Sequence, residues 1–194
     1  DLIIAFVKEQ RSRSPQFVPC HFPPVWLPEG RGISISDDCL AVLSPNLYEE
    51  FALPHVNELS EEFGGVIIHS CGNFLHQLDN LARVHELRGI NFGASETPFE
   101  AVWERFGGKT AVLPHLGLNK DFPFDSHVEF IEHIFRTSTH TRGLCILVSP
   151  PTLAPRTEGA GHAAGLVPQA LDQAFFDRFL RTTKETLDRY LGGQ

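Results

Sequence analysis

The sequence predicts an α/β protein in which short strands and amphipathic helices alternate along the chain. The clearest strand, residues 66–68, is a run of β-branched residues with the continuous apolar character of a buried parallel strand. Other short apolar runs alternate with stretches that show helical periodicity or helix-capping residues. Repeated βα units of this kind favour a parallel sheet. About five units are visible, so the pattern leaves open either an open α/β sheet or the latter part of a (β/α)8 barrel.

Local signals place each element. Ser44 and Pro45 begin a helix, because serine is a favoured N-cap and proline fits the first helical position. This helix should run to Phe63 with Leu47 and Phe51 on its inner face, and Pro54 should kink or divide it. The predicted strands are 33–36, 66–68, 90–93, 110–116 and 144–148. The other predicted helices are 74–84, ended by Arg88 and Gly89, then 97–106, one capped by Asp125 or Ser126, and 171–191.

The length of 194 residues is enough for one domain with a sizeable core. We expect a single partial barrel domain over 1–194. It comprises an apolar remnant and connector at 1–32, βα units at 33–150, and a loop and final helix at 151–194. The chain begins at Asp1 and contains no methionine, so we expect a fragment or a trimmed form of a longer protein.

Composition restricts the class of partner. The formal net charge of -8 argues against nucleic acid or an anionic membrane, since both select clustered lysine and arginine. No apolar stretch approaches the roughly 20 residues of a membrane-spanning helix, and no segment resembles a signal peptide, so a cytoplasmic location is the simplest expectation. The cysteines are far apart and are predicted to be free thiols: Cys20, Cys39, Cys71 and Cys145.

The candidate site residues follow the carboxyl ends of the predicted strands, where βα proteins place their chemistry. His69 and Cys71 are two residues apart in an extended segment, so both side chains face the same side. Asp37 and Asp38 follow the first strand and, being adjacent, project to opposite sides. One of them should face the cavity and act as an acid, base or ligand, although either one alone is equally suited to a simple turn.

Two further polar residues are associated with the third predicted strand. Asn91 lies within it and Glu96 lies just beyond it. Glu96 is also well placed to begin the next helix, where acidic residues are favoured. The predicted catalytic residues are Asp38 and His69, and the predicted substrate-binding residues are Asp37, Asn91 and Glu96.

Several segments resemble the uroporphyrinogen decarboxylase superfamily. The most specific is 43–54, with Leu43-Ser44-Pro45 followed by Tyr48-Glu49-Glu50-Phe51-Ala52-Leu53-Pro54. The segment 69–73, His-Ser-Cys-Gly-Asn, looks like a strand end found in many members that are not decarboxylases, including corrinoid-linked methyltransferases. Residues 37–38, 90–93 and 115–117 also fall where strands of the family end. The resemblance covers 33–148 and implies strands four to eight of a TIM barrel, with the earlier strands missing.

The resemblance also implies a zinc site. In the zinc-dependent methyltransferase branch, a His-x-Cys pair and a later cysteine hold zinc, which lowers the pKa of the thiol that accepts the methyl group. His69 and Cys71 match the pair, and imidazole and thiolate suit zinc. The later cysteine is expected at 149–151, which reads Ser-Pro-Pro, whereas Cys145 lies more than about 10 Å before that strand end. The predicted ligands are therefore Asp38, His69, Cys71 and His115. Alternatively, His69 and Cys71 line a metal-free pocket for an organic substrate.

The resemblance implies an enzyme that transfers a methyl group to or from a small molecule in a pocket at the carboxyl rim, with a corrinoid present only through a partner protein. One alternative is decarboxylation of uroporphyrinogen in porphyrin biosynthesis. True decarboxylases use an N-terminal arginine-rich segment that Arg11 and Arg13 do not match, and they lack the His-x-Cys pair. Another alternative is a non-catalytic half-barrel whose sheet edge pairs with an N-terminal half-barrel or with a second copy in a homodimer.

Overall fold

The computed structural model of the chain describes residues 2–14, 27–28, 30–115, 124, 126–148 and 173–192. The chain divides into two compact units, of which the first comprises 1–123 and 137–147 and the second comprises 124–136 and 148–194. The sheet and the candidate site belong to the first unit. The prediction of one domain over 1–194 stays a prediction.

Strands and helices alternate along the chain, as predicted. The first unit contains α1 (Leu2–Arg13), β1 (Ile33–Ser36), α2 (Cys39–Val42), α3 (Pro45–Phe51), α4 (Leu53–Phe63), β2 (Val66–Ser70), a 3-10 turn (Leu75–Gln77), α5 (Leu78–Leu81), β3 (Leu87–Gly93), α6 (Phe99–Phe106) and β4 (Ala111–His115). The second unit contains α7 (His127–Thr137), except for its last residue, and α8 (Gln173–Leu191). Among the described residues, no helix has both the length and the apolar character needed to cross a lipid bilayer.

The strands form one parallel sheet in the order β1-β2-β3-β4. Residues paired across parallel strands share a face of the sheet, so the register defines two different rows. One row is apolar and consists of Ile35, Ile68, Ile90 and Val112. The row on the opposite face consists of Ser36, His69, Asn91 and Leu113, so two predicted site residues are neighbours in the sheet. The predicted α/β fold with parallel strands is confirmed.

The fifth predicted strand, 144–148, forms two isolated parallel bridges to β4 rather than a continuous strand. Val112 N–H donates to Gly143 O, Cys145 N–H donates to Val112 O, and Leu147 N–H donates to Pro114 O. A regular parallel ladder would also need a bond from the N–H of residue 114, and proline has none. The position and direction of this strand were therefore predicted correctly, and its continuity was not.

The long helix predicted from Ser44 is divided as expected. The Ser44 hydroxyl accepts a hydrogen bond from Leu47 N–H at 3.4 Å, which caps α3. Pro54 lies in the first turn of α4, which begins two residues after α3 ends. Gly64, at φ 80°, ends α4 in the left-handed conformation that glycine tolerates best.

The helix predicted over 74–84 is much shorter in the structure. A 3-10 turn leads into α5, which ends at Leu81, and Arg88 and Gly89 belong to β3. Side chains of α4 bind the backbone that follows: Asn57 accepts from His85 N–H at 2.8 Å, and the Ser60 hydroxyl donates to His85 O. Because these tertiary hydrogen bonds satisfy the backbone in a turn, the helical pattern is not followed.

A buried tyrosine links α3 to the end of β1. The predicted inner residues Leu47 and Phe51 are 45% and 59% exposed, whereas Tyr48 is fully buried. The Tyr48 hydroxyl donates to Asp37 Oδ2 at 2.6 Å. Burial raises the pKa of the Asp37 carboxyl, although the hydrogen bond from Tyr48 acts in the opposite direction. Burial, followed by the charge of Asp37, raises the pKa of Tyr48.

Replacing Tyr48→Phe should remove this donor and leave a half-buried carboxylate without it. We expect a loss of about 1–3 kcal/mol in the free energy of unfolding, measured by urea denaturation. The pKa of Asp37 should rise further, which an NMR titration of its carboxyl carbon would detect. Tyr190→Phe is the matched control, since Tyr190 is a partly exposed ring stacked on Phe135. It should cost about 0.5 kcal/mol or less, and equal losses in the two variants would contradict the assigned role of the Asp37 contact.

Candidate metal centre

Three predicted ligands converge at the carboxyl ends of β1 and β2. The ligand atoms of Asp38, His69 and Cys71 all lie within 4.8 Å of one another. Asp38 lies in the turn after β1. His69 is the penultimate residue of β2, and Cys71 is the residue immediately after β2. His69 is 5% exposed, whereas Asp38 and Cys71 are exposed. The cluster therefore has a buried nitrogen ligand and two ligands that solvent can reach.

The His69 ring is held between the neighbouring strand and the cysteine. Its Nδ1 lies 2.7 Å from Asn91 Oδ1, and its Nε2 lies 3.3 Å from Cys71 Sγ. Asn91 is fully buried and also donates from Nδ2 to Leu113 O at 2.6 Å. Because Asn91 occupies Nδ1, the nitrogen directed at the cluster is Nε2.

Two carboxylates hold the turn that carries the thiol. Asp38 Oδ1 accepts from Cys71 N–H at 2.8 Å, and Glu96 Oε2 accepts from Gly72 N–H at 3.0 Å. Gly72 has φ 88°, and a Cβ at this position would lie 2.9 Å from the Ala41 side chain. The turn therefore requires glycine both for its backbone conformation and for its lack of a side chain.

The Thr97 side chain also stabilises the turn at Gly72. Its buried hydroxyl donates to Gly72 O at 3.0 Å and accepts from Phe74 N–H at 3.1 Å. We predicted Thr97 and Pro98 as the start of a helix. The helix does begin at Phe99, but the Thr97 side chain stabilises residues 72–74 instead of capping it. Sequence reasoning missed this role because the contact joins residues about 25 positions apart.

The electrostatics of the cluster favour a protonated thiol when no cation is bound. Burial raises the pKa of the Cys71 thiol, and the negative charges of Asp38 and then Glu96 raise it further. The thiol is therefore neutral near pH 7, and its sulfur lies 3.3 Å from His69 Nε2. A bound cation would reverse this preference, because it would offset both carboxylate charges and favour the thiolate.

His115 lies beside the cluster and not within it. Its ring stacks on His69, with centroids 5.8 Å apart and an angle of 28° between the planes. Its Nδ1 lies 3.4 Å from Asn91 Nδ2. Burial, followed by interaction with His69, lowers the pKa of His115 to about 4. The ring is therefore neutral near pH 7.

The structure brings some of the predicted residues together and separates others. Asp38, His69 and Cys71 converge, and His115 is their neighbour through the stacked ring. Asp37 instead bonds to Tyr48. Asn91 and Glu96 have partners within the protein that position His69 and Gly72. The predicted roles of these residues in catalysis and in substrate or metal binding stay predictions.

The chemistry of this donor set fits zinc. Imidazole nitrogen, thiolate sulfur and carboxylate oxygen are its usual protein ligands, and three of them leave a fourth position for a substrate. Ligands bound to one tetrahedral zinc ion are separated by roughly 3.3–3.8 Å, as bond lengths of 2.0–2.3 Å require. The present separations of up to 4.8 Å need to shorten by roughly 1 Å on that geometry, which exposed side chains such as Asp38 and Cys71 can accommodate.

The lowered pKa of His115 predicts a specific dependence of stability on pH. In the unfolded chain this ring has the ordinary pKa of 6.5, whereas in the folded protein its pKa is about 4. Between these pH values the unfolded chain therefore binds a proton that the folded protein does not bind. The free energy of unfolding should therefore fall as the pH is lowered from 6.5 towards 4, and the His115 contribution should be complete above that window. Urea denaturation at several pH values measures this slope.

The variant His115→Gln should flatten the slope between these pH values, whereas substitution of the exposed His55 by Gln should leave it unchanged. A slope that is the same in His115→Gln and the parent would show that His115 is not the responsible group.

One stretch of the chain matches a known protein family. The family model described as uroporphyrinogen decarboxylase (URO-D) matches residues 29–116. No curated protein matches the chain. A solved structure, a methyltransferase from Methanosarcina mazei, is similar over 59% of this chain and 35% of its own, at 15% identity and a TM-score of 0.45. The chain thus spans about a third of the length of that structure. The stretch 29–116, which contains every residue of the candidate site, thus matches the uroporphyrinogen decarboxylase family model, and its parallel sheet has strands in sequential order, as expected for part of a TIM-type barrel.

Proposed function

We propose that the chain is an enzyme of this superfamily that transfers a methyl group to a thiol, with zinc bound at the strand ends. The observation that carries the proposal is the convergence of carboxylate, imidazole and thiol ligand atoms within 4.8 Å. Asp38, His69 and Cys71 are the proposed ligands. When bound there, zinc would lower the pKa of a substrate thiol at its fourth position, so that the nucleophilic thiolate is available near pH 7.

The residues of the chain prepare this reaction. Asn91 orients His69, and the Asp38 and Glu96 carboxylates fix the turn that presents Cys71. The exposed positions of Asp38 and Cys71 leave a route for the substrate and for the proton that the thiol releases. In the transfer, the acceptor sulfur forms a bond to the methyl carbon, and the donor keeps the electron pair of the bond that breaks.

We also propose two kinds of partner. A methylated corrinoid bound to a partner protein is the proposed methyl donor. A strand from an N-terminal half-barrel or from a second copy of the chain is the proposed neighbour of β1. Among the described strands, β1 pairs with β2 alone, and open strand edges invite pairing.

Charge at the site favours this proposal over decarboxylation of uroporphyrinogen. A polycarboxylated tetrapyrrole requires cationic groups, whereas the carboxylates of Asp38 and Glu96 both act on Cys71. Two negative charges beside the substrate would repel its carboxylates and attract a cation.

Metal content tests the proposed ligands. After incubation with zinc and dialysis, the parent chain should retain about one zinc per molecule, measured by mass spectrometry of the metal. His69→Ala and Cys71→Ser should abolish retention. Cys145→Ser is the matched control, because Cys145 is an exposed free cysteine that lies outside the cluster, and it should bind zinc normally.

Activity tests the proposed reaction with methylcobalamin as the donor and a small thiol as the acceptor, followed by the absorbance change of the corrinoid. Zinc-loaded parent protein should catalyse the transfer, and His69→Ala should reduce the rate by about 100-fold or more. Zinc retention without transfer would contradict the reaction and keep the metal site. Release of carbon dioxide from uroporphyrinogen by the zinc-free protein would instead support the decarboxylase alternative.

A further inference from the structure

The amide of Asn91 makes a complete set of hydrogen bonds in the interior. It is 0% exposed and contacts three groups on two strands. Nδ2 donates to Leu113 O at 2.6 Å and lies 3.4 Å from His115 Nδ1, while Oδ1 lies 2.7 Å from His69 Nδ1. Both Nδ2 hydrogens therefore have a partner, and Oδ1 faces one imidazole nitrogen.

The orientation of this amide is determined by its backbone partner. Rotating the amide by half a turn would place Oδ1 near Leu113 O, where two acceptors would face each other without a hydrogen. Because two facing acceptors repel each other and the buried Leu113 carbonyl would lose its donor, the arrangement with Nδ2 toward Leu113 is strongly preferred. Oδ1 must then face His69.

An amide oxygen only accepts hydrogen bonds, so His69 must carry its proton on Nδ1. The lone pair of the neutral ring is then on Nε2, which lies 3.3 Å from Cys71 Sγ. His115 faces the other end of the Asn91 amide, where Nδ2 can only donate a hydrogen bond. His115 must therefore keep Nδ1 unprotonated and carry its proton on Nε2.

We propose that Asn91 is a positioning residue that imposes opposite tautomers on two stacked imidazoles. His69 thereby presents an electron pair at Nε2, suited to a metal or a thiol hydrogen, and its neighbour His115 presents an N–H donor at Nε2. This assigns Asn91 to the orientation of the site rather than to the substrate contact predicted from its position. The consequence for zinc affinity rests on the proposed function, whereas the tautomers themselves do not.

The experiment is a two-bond 1H–15N correlation spectrum of zinc-free protein with 15N-labelled histidine, recorded at about pH 8. The tautomer of each neutral ring is read from its two nitrogen shifts, and the His69→Gln and His115→Gln spectra assign the signals. We expect the Nδ1–H form for His69 and the Nε2–H form for His115. Either ring in the reverse form would overturn the proposal, and this measurement needs no variant at Asn91 itself.

Two substitutions then test the cause. Asn91→Asp keeps an acceptor for His69 but loses the donor, so His69 should keep its tautomer while His115 moves its proton to Nδ1. Asn91→Leu removes both polar groups at similar volume, so each ring should populate both forms. Asn46→Asp, the same change at an exposed position of α3, is the control and should alter neither ring. Unchanged tautomers in Asn91→Asp and Asn91→Leu would overturn the assigned cause.

Zinc titration of the same proteins separates this inference from the proposed function. Asn91→Leu should weaken zinc binding by about 10- to 100-fold, as loss of a group that orients a ligand does. If the parent has the expected tautomers but binds no zinc, the proposed function fails and the positioning role of Asn91 stands.

Discussion

The register of the parallel sheet is the constraint on which the site depends. Pairing of Ser36 with His69, His69 with Asn91 and Asn91 with Leu113 places a polar row at one level of three neighbouring strands. The row of Ile35, Ile68, Ile90 and Val112 lies on the opposite face of the sheet. A shift of one residue in the strand pairing would therefore exchange the faces of the two rows. The buried apolar row thus fixes the register, and the register in turn fixes the spacing of the imidazole, the amide and the thiol.

Burial of the polar side chains of His69, Asn91 and Thr97 is tolerated because each of them is hydrogen-bonded. Asn91 bonds to His69 and Leu113, Thr97 bonds to both sides of the Gly72 turn, and the two carboxylates accept the amides of Cys71 and Gly72. Removal of one member would leave its partners unsatisfied, which costs more than the lost bond itself. The same network concentrates the negative charges of Asp38 and Glu96 beside Cys71, and such charge attracts a cation.

Sequence periodicity predicted the strands and the division of the long helix at Pro54, because β-branched runs and proline act locally. It also predicted that His69 and Cys71 share a side, which follows from the pleat of a strand. It did not predict the buried side chain of Tyr48, the turn that replaces the helix after Leu81, or the roles of Asn91 and Thr97. Each of these depends on a hydrogen bond to a residue distant in the sequence, such as Asp37, His85 or Gly72. A local sequence pattern carries no information about such partners. The missing N–H of Pro114 likewise interrupts the fifth strand only because 144–148 is its neighbour in the sheet.

X-ray absorption at the zinc edge of protein loaded with one equivalent of zinc tests the central claim most directly, since it counts the sulfur atoms bound to the ion. Convergence of Asp38, His69 and Cys71 predicts one protein sulfur at about 2.3 Å, with the remaining ligands nitrogen or oxygen at about 2.0–2.2 Å. Cys71→Ser protein, which should not retain zinc after dialysis, should show no sulfur at this distance when the same amount of zinc is present. A site with no sulfur, or with two, would contradict the account.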